Sequence, residues 1–203
     1  MPRRSFGTPL CGLKGRGMFY RIGWVILLLF AAVPWAVLFF MHDTRFDGLD
    51  RRAHQLLDDG KYLEAVDVWE KGLDVDPRSV RARVGIAVAY SYADRDDLAE
   101  KYFAEAVELG PKSPLAWHEY GLYKLRKDDL DGAEKAFKKT IEADPSWYGA
   151  HYHLGLVYEK RGMMELAKSE WVRELNANPA HAVAMLRLRK VTADEKLAKA
   201  SGG

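Results

Sequence analysis

The chain has 203 residues, long enough for one ordinary domain and an appendage, and its 48% hydrophobic and 12% aromatic content excludes wholesale disorder. Five of the 31 basic side chains and none of the 29 acidic ones lie in residues 1–42, so the remainder carries a net charge of −3. An acidic remainder gains little from contacts to a phosphate backbone, and we therefore expect no nucleic-acid partner.

The first predicted element is a transmembrane helix over residues 22–41, twenty consecutive residues without a charge. At about 1.5 Å of rise per residue, a helix of this length spans a hydrocarbon core of about 30 Å. Trp24 and Trp35 lie toward its two ends, as is typical of membrane interfaces. A cleaved signal peptide is the alternative, but the apolar run is long and no small-x-small cleavage site follows it. The sequence therefore predicts contact with the lipid bilayer through residues 22–41.

The basic leader, residues 1–21, determines the expected orientation of this helix. Basic residues collect on the cytoplasmic side of a membrane, so we expect a cytoplasmic N-terminus and a C-terminal part on the far side. In a bacterium, this describes a single-pass inner-membrane protein with its folded part in the periplasm. A true start at Met18 would remove most of the leader's charge, and an organellar transit peptide is the other interpretation of an acid-poor leader.

Downstream of the span, the sequence repeats with a period of 34 residues, which four prolines mark at Pro77, Pro111, Pro145 and Pro179. Each proline is preceded at 12 residues by alanine, at 8 residues by a large aromatic residue and at 24 residues by a small residue. In chain order, these sets are Ala65, Ala99, Ala133 and Ala167; Trp69, Phe103, Phe137 and Trp171; and Ala53, Ala87, Gly121 and Gly155. This period and content predict tandem helical hairpins, in which the small residue of the first helix faces the alanine of the second.

Polar turn segments divide each repeat into two predicted helices. Asp58-Asp59-Gly60 and Lys127-Asp128-Asp129 are two of these segments, and we expect their acidic residues to cap the helices that follow. The helices are predicted at residues 47–58, 62–75, 80–93, 96–109, 114–127, 130–143, 148–160 and 163–177.

The pattern resembles the tetratricopeptide-repeat family over residues 46–179. The third repeat matches the family's W-x2-L-G…A-x3-F…P pattern most fully, with tyrosine for leucine, through Trp117, Tyr120, Gly121, Ala133, Phe137 and Pro145. The resemblance implies an all-α protein: a right-handed α-solenoid of four hairpins, preceded by the transmembrane helix. The expected repeats are residues 46–79, 80–113, 114–147 and 148–181, and an amphipathic helix at 181–200 is expected to cap the last one.

No arrangement of residues indicates catalysis, so we expect that the protein is not an enzyme. His151 and His153 point in different directions on a helix, and no acidic or cysteine partner completes a metal set. His151 takes a slot in which the family often has tryptophan, so core packing explains it. No glycine-rich phosphate loop follows a strand. We therefore predict no catalytic residue, no metal and no cofactor.

In the tetratricopeptide-repeat family, the first helices of successive repeats line a concave groove that holds the ligand, and the resemblance implies the same groove here. The residues expected to face it are His54, Arg81, Val84, Val88, Tyr92, His118, Leu122, Leu125, Tyr152 and Leu156. Charge is sparse among them, so an apolar or amphipathic peptide or helix is the expected ligand. Two alternatives stay open: part of this set packs between repeats, or the chain's own C-terminal helix fills part of the groove.

The family's chaperone-binding members use a clamp of lysine, asparagine and arginine for a C-terminal carboxylate. The corresponding slots here hold Asp50, Gly85, Leu115 and Glu119. We therefore expect no such ligand.

The resulting hypothesis is a membrane-tethered adaptor or assembly factor that binds a membrane-associated or exported protein through the groove. Tethering raises the effective concentration toward partners in the same bilayer, so weak groove affinity suffices. The alternative is a structural subunit of a membrane protein complex, held mainly by its transmembrane helix, for which Ala31, Ala32 and Pro34 offer a small-residue face. An import receptor with cytosol-facing repeats is a third interpretation.

Overall fold

The computed structural model describes residues 45–201, so the predicted leader and transmembrane helix lie outside the described residues. Within 45–201 the chain forms nine helices and no strand, and α1 occupies residues 45–58. The others, α2 to α9 in chain order, are Tyr62–Val75, Val80–Tyr92, Asp96–Leu109, Pro114–Arg126, Leu130–Ala143, Ala150–Lys160, Met164–Ala177 and Ala182–Ser201. Within this part of the chain, no helix is both long enough and apolar enough to cross a bilayer.

A residue in the left-handed conformation follows the first helix of every hairpin. These residues are Gly60 (φ +75°), Asp94 (φ +55°), Asp128 (φ +60°) and Gly162 (φ +75°), one in each 34-residue period. Glycine has no Cβ to clash in this region, and aspartate tolerates it because its short side chain bonds locally. The chain therefore reverses at the same place in each repeat, and the two helices of a repeat pack antiparallel.

Side-chain caps determine where α3 and α5 begin, and a left-handed glycine determines where α7 begins. The Ser79 and Ser113 hydroxyls accept the Ala82 and Ala116 N–H groups at 3.2 and 3.3 Å, so α3 and α5 begin where the sequence predicts. The helix α7 begins two residues after the predicted start at residue 148. Gly149 adopts a left-handed φ of +82°, and the helix begins only at Ala150.

The repeated aromatic residues form the centre of the hairpins. Trp69 is 1% exposed, and its counterparts Phe103, Phe137 and Trp171 are completely buried. A Cβ on Gly121 would lie 2.7 Å from the Phe137 ring, and one on Gly155 would lie 2.3 Å from the Trp171 ring. We expected these glycines to face an alanine of the second helix, but it is the aromatic ring of the same repeat that requires them.

The first helices of successive repeats lie side by side, and this arrangement determines the inner face of the solenoid. α3 packs against α5, and α5 packs against α7, whereas the second helices α2, α4, α6 and α8 share no comparable contact. Neighbouring repeats are instead joined through second-to-first pairs such as α2 with α3 and α6 with α7. The first helices therefore form the concave side, and the second helices form the convex side.

The C-terminal helix α9 packs on the fourth repeat, as a cap would, but it is not polar on its outer side. Ala184 is fully buried, and Leu188 and Val191 pack against the core of the fourth repeat. Val183, Leu186 and Leu197 are 53%, 65% and 69% exposed. α9 therefore covers the apolar end of the fourth repeat with one side and exposes apolar side chains to solvent on another.

Candidate protein-interaction groove

The structure divides the ten predicted groove residues into accessible and buried sets. His54, Arg81 and Tyr92 are exposed, and Val88, Leu122, Leu125 and Leu156 are half-buried. The remaining three are core residues, because Val84, His118 and Tyr152 are only 4%, 8% and 9% exposed. Val84, for example, packs with Ala106 and Ala116 between α3, α4 and α5. Seven of the ten side chains therefore have surface to offer a ligand.

Apolar side chains form the floor of the groove. Val88, Leu122 and Leu156 occupy the same register position in the second, third and fourth repeats, each 34 residues after the one before. Because α3, α5 and α7 are neighbours, these residues form a row that runs across the repeats. Leu125, one turn beyond Leu122, widens the row. All four are half-buried, so each keeps apolar area that a ligand could cover.

The N-terminal end of the groove is polar. The Arg81 guanidinium lies 3.7 Å from a carboxylate oxygen of Asp47 and 3.8 Å from one of Asp50. Asp50 also accepts the indole N–H of Trp69 at 2.9 Å, which satisfies a buried donor. His54 bonds the Asp50 carbonyl at 2.8 Å. Asp50 is therefore held in place by structural contacts, and the Arg81 guanidinium lies beside its carboxylate.

Tyr92 is the most prominent aromatic side chain of the predicted set. It is 49% exposed, and its ring stacks on Tyr62 with centroids 5.6 Å apart. The Arg126 guanidinium lies 5.1 Å from the Tyr92 ring centre and donates to the Ser91 hydroxyl at 2.8 Å. A cation against an aromatic face is a moderately stabilising contact. Tyr92 is therefore pre-positioned at the edge of the groove.

Ion pairs between successive repeats fix their spacing. Lys127 reaches Asp96, and Lys160 reaches Asp128, each at 2.6 Å. The Tyr120 hydroxyl donates to Glu100, and burial together with this hydrogen bond raises the pKa of Tyr120 to about 12. Each exposed ion pair contributes at most about 1 kcal/mol to the free energy of unfolding. These pairs therefore mainly orient successive repeats relative to each other.

Two histidines meet at the junction of the third and fourth repeats. The His118 Nε2 and His153 Nδ1 atoms are 3.2 Å apart, and the His153 ring stacks on Phe137. Burial, with a further contribution from His118, lowers the pKa of His153 to about 4. The sequence analysis missed this pair, although the signal was there: a separation of 35 residues, one more than the period, places both on facing sides of α5 and α7.

A buried carboxylate organises the start of α7. Glu174 is fully buried, accepts the Gly149 N–H at 2.9 Å and accepts the Asn178 side-chain amide at 2.9 Å. An anion at a helix N-terminus is favoured by the unpaired N–H groups and the helix dipole. The His181 Nδ1 atom similarly accepts the Ala184 N–H and begins α9. Nothing in the sequence marked Glu174, because a glutamate in a second helix ordinarily lies on the surface.

Two sequence-family models match this chain. Residues 51–114 match the tetratricopeptide-repeat model, and residues 84–201, more than half of the chain, match the model described as the cilia and flagella-associated protein 70 middle TPR-like domain. The chain belongs to the tetratricopeptide-repeat family. It therefore carries a protein–protein interaction domain of the tetratricopeptide-repeat type. Among curated proteins, none matches this chain significantly.

Solved structures share the fold. Pseudomonas aeruginosa pilF is 19% identical with a TM-score of 0.70, and the match covers 76% of this chain and 71% of pilF. A thermophilic TPR protein of Thermus thermophilus is 16% identical with a TM-score of 0.65, covering 73% of this chain and 81% of its own. The first TPR domain of Spaghetti (RPAP3), solved bound to the HSP90 peptide SRMEEVD, is 25% identical with a TM-score of 0.51, covering 58% of this chain and 93% of its own.

The convex side of this tetratricopeptide-repeat protein carries a second concavity, a cleft of about 440 Å³ between α6 and α8. Its lining includes His151, whose Nδ1 atom lies 2.7 Å from a carboxylate oxygen of the buried Glu170. The sequence analysis did not predict this contact between His151 and Glu170. Within residues 45–201, no three His, Cys, Asp or Glu side chains are grouped in a way that would hold a metal ion.

Proposed function

We propose that the protein is a membrane-tethered adaptor or assembly factor that binds a partner protein through the concave groove and catalyses no reaction. One observation carries the proposal. The first helices α3, α5 and α7 lie side by side, so the half-buried Val88, Leu122 and Leu156 form one row across three repeats. An apolar row with a polar end and an aromatic edge suits an amphipathic peptide or helix, whose apolar side chains would cover the row.

Peptide binding by a similar domain supports this proposal, although the ligand chemistry differs. The RPAP3 domain is bound to SRMEEVD, a peptide that carries three carboxylate groups in addition to its own terminus. Here, the positions of the family's cationic clamp include Asp50, whose carboxylate is already paired with Arg81, and the half-buried Glu119. Like charges placed together in a partly buried site repel each other. We therefore propose that the ligand is an apolar or amphipathic segment, and that an acidic C-terminal peptide is excluded.

The tethering part of the proposal depends on residues 22–41. Twenty uncharged residues suffice to span a bilayer, and the basic leader before them favours a cytoplasmic N-terminus with the repeats in the bacterial periplasm. The fold begins at α1, residues 45–58, only a few residues after this segment. A partner in or near the same membrane would then be held at high effective concentration.

Affinity purification of the full-length protein in mild detergent tests the groove. A chain carrying Val88→Arg and Leu122→Arg should lose the partner that the unmodified chain retains, because two charges interrupt the apolar row. Val172→Arg is the matched control, since Val172 is 44% exposed on α8 of the convex side. Equal recovery of the partner by the double variant, with an unchanged helical circular dichroism spectrum, would refute the groove.

A chain truncated to residues 43–203 separates this proposal from the alternative of a structural subunit held by its transmembrane helix. Capture of the partner by the truncated chain supports the groove. If capture requires residues 18–42, the transmembrane helix is the main contact, and the structural-subunit alternative replaces the adaptor.

A further inference from the structure

α9 has two apolar sides. Ala184, Leu188 and Val191 face the core of the fourth repeat. At about 100° of rotation per residue, a second set of residues falls on the opposite side of the helix. This set, which we call the α9 stripe, consists of Val183, Leu186, Lys190, Ala193 and Leu197, all of which are exposed. A helix that is apolar on two sides is typical of one that is covered on both.

The register of the repeats shows where the stripe points. Ala184 is fully buried like Ala82, Ala116 and Ala150, which precede it at 34-residue intervals. Arg187 packs over Trp171, as His153 packs on Phe137 one period earlier. α9 therefore packs on the fourth repeat as the first helix of a next repeat would. Lys190 follows the groove-floor residue Leu156 by one period. Leu186 follows Tyr152, whose position is buried between successive first helices in the earlier repeats, so the stripe continues both the groove floor and the surface on which a next helix would pack.

The spacing of the stripe indicates what would cover it. Its members are separated by 3, 4, 3 and 4 residues, the spacing with which one helix packs against another in a coiled coil. The stripe extends over fifteen residues, a length of about 21 Å, or two heptads. A cleft of about 400 Å³ adjoins the first three residues of the stripe, and its lining also includes Asp194 of α9 and Glu159 of α7. This geometry fits a second helix.

Lys190 distinguishes a foreign helix from a second copy of this chain. It lies midway between Val183 and Leu197, so an in-register pair of α9 helices would bring two Lys190 ammonium groups together in either orientation. Like charges facing each other in such a seam oppose pairing. Among the side chains that the structure describes, Lys190 forms no ion pair, whereas the neighbouring Arg187 is bound to Glu159. A partner helix with a carboxylate at the matching position pairs with Lys190, whereas an in-register second copy places another lysine there.

We propose that the α9 stripe extends the concave groove and binds a partner helix of about two heptads, with an acidic side chain opposite Lys190 and apolar side chains on either side. This inference rests on the proposed function, because it names the chemistry of the partner at the C-terminal end of the same groove. In this proposal Leu186 makes the apolar contact with the partner helix, and Lys190 makes the ionic one.

Two synthetic helical peptides test the proposal on the full-length protein in nanodiscs. Both carry leucine at the stripe-facing positions, and they differ only in having glutamate or lysine at the central one. Fluorescence anisotropy should show the glutamate peptide binding about fivefold more tightly than the lysine peptide, because one charge pair changes from attraction to repulsion. The Lys190→Glu variant should reverse this preference. Peptide that partitions into lipid cannot produce a reversal.

Leu186→Arg should lower the binding affinity of both peptides by about tenfold. Val172→Arg on the convex side should leave both affinities unchanged. Equal binding of the two peptides, or an unchanged preference in Lys190→Glu, would overturn the α9 assignment. A homodimer that Leu186→Arg dissociates in analytical ultracentrifugation would also overturn it, because a second copy would then occupy the stripe. The affinity purification with Val88→Arg and Leu122→Arg tests the proposed groove independently, because it measures recovery of the natural partner and not binding of these peptides.

Discussion

The two ends of the described solenoid are built in opposite ways. At the N-terminal end, α1 turns Phe46 into the core, where it is 9% exposed, and leaves Arg51, Arg52 and His54 in solvent. At the C-terminal end, α9 leaves Leu186 in solvent with 65% of its surface exposed. Terminal repeats need a polar outer side, because no neighbour covers them. α1 meets this need and α9 does not, which indicates that the C-terminal end is a surface for contact.

The comparison also separates two kinds of repeat junction. At the first junction, the Trp69 ring packs directly on the backbone of Gly85, where a Cβ would lie 2.4 Å from the ring. At the third junction, the Phe137 ring meets His153 instead. At the first junction a glycine meets the ring at this position, and at the third a histidine meets it, whose pKa is lowered to about 4. The third junction is therefore expected to respond to pH through His153.

Removing the apolar anchor of the N-terminal end should have the largest effect. Phe46→Ala should lower the free energy of unfolding by about 3.5 kcal/mol, because a buried ring is replaced by a cavity. Urea denaturation of a chain truncated to residues 43–203 measures this loss. A loss below about 1 kcal/mol would mean that α1 is not anchored through Phe46.

Crowding the first junction should have the next largest effect. Gly85→Ala should cost about 2.5 kcal/mol, because the new Cβ meets the Trp69 ring within a packed core. Gly48→Ala in α1 is the matched control, since a Cβ there meets nothing within 4 Å. That control should be slightly stabilising, because alanine is the better helix former. Similar results for both variants in thermal unfolding would contradict the close approach of α3 to Trp69.

Acidification should weaken the third junction. The pKa of His153 is lowered from 6.5 to about 4, so in this interval the unfolded chain binds the proton and the native state does not. Unfolding is therefore favoured as the pH falls through the interval, with about 2 kcal/mol lost between about pH 7 and about pH 5. The neighbouring Glu119 favours the protonated form, whereas His118 and His181 oppose it.

His153→Gln should remove most of this pH dependence, and urea denaturation at the two pH values measures it. A control, His54→Gln at the exposed N-terminal end, should leave the dependence intact. An equal pH dependence in the His153→Gln variant would show that another group causes it.

The smallest effect on stability is expected at the α9 stripe. Leu186→Ala should change the free energy of unfolding by less than about 0.5 kcal/mol, because the side chain is already in solvent. The same denaturation experiment as for Phe46→Ala measures it. A loss as large as that of Phe46→Ala would show that Leu186 is a core residue, and the contrast between the two ends would disappear.

The 34-residue period was enough to predict the all-α repeat fold, because small, aromatic and proline residues at fixed positions leave few other ways to bury the hairpins. It did not predict which groove residues are accessible. Val84 and His118 occupy the same register position, and both are buried where successive first helices meet, a contact that single-repeat reasoning does not contain. Glu174 escaped prediction for a related reason, since its N–H partner Gly149 lies 25 residues away.

Site-specific photocrosslinking in intact cells tests the central claim, binding through the concave side, most directly. A photoreactive phenylalanine replaces Tyr92 at the edge of the groove or, in a matched chain, Val172 on the convex side; both positions are accessible, at 49% and 44% exposure. The account predicts a covalent adduct with a partner protein from position 92 and none from position 172. An adduct from position 172 alone would contradict it.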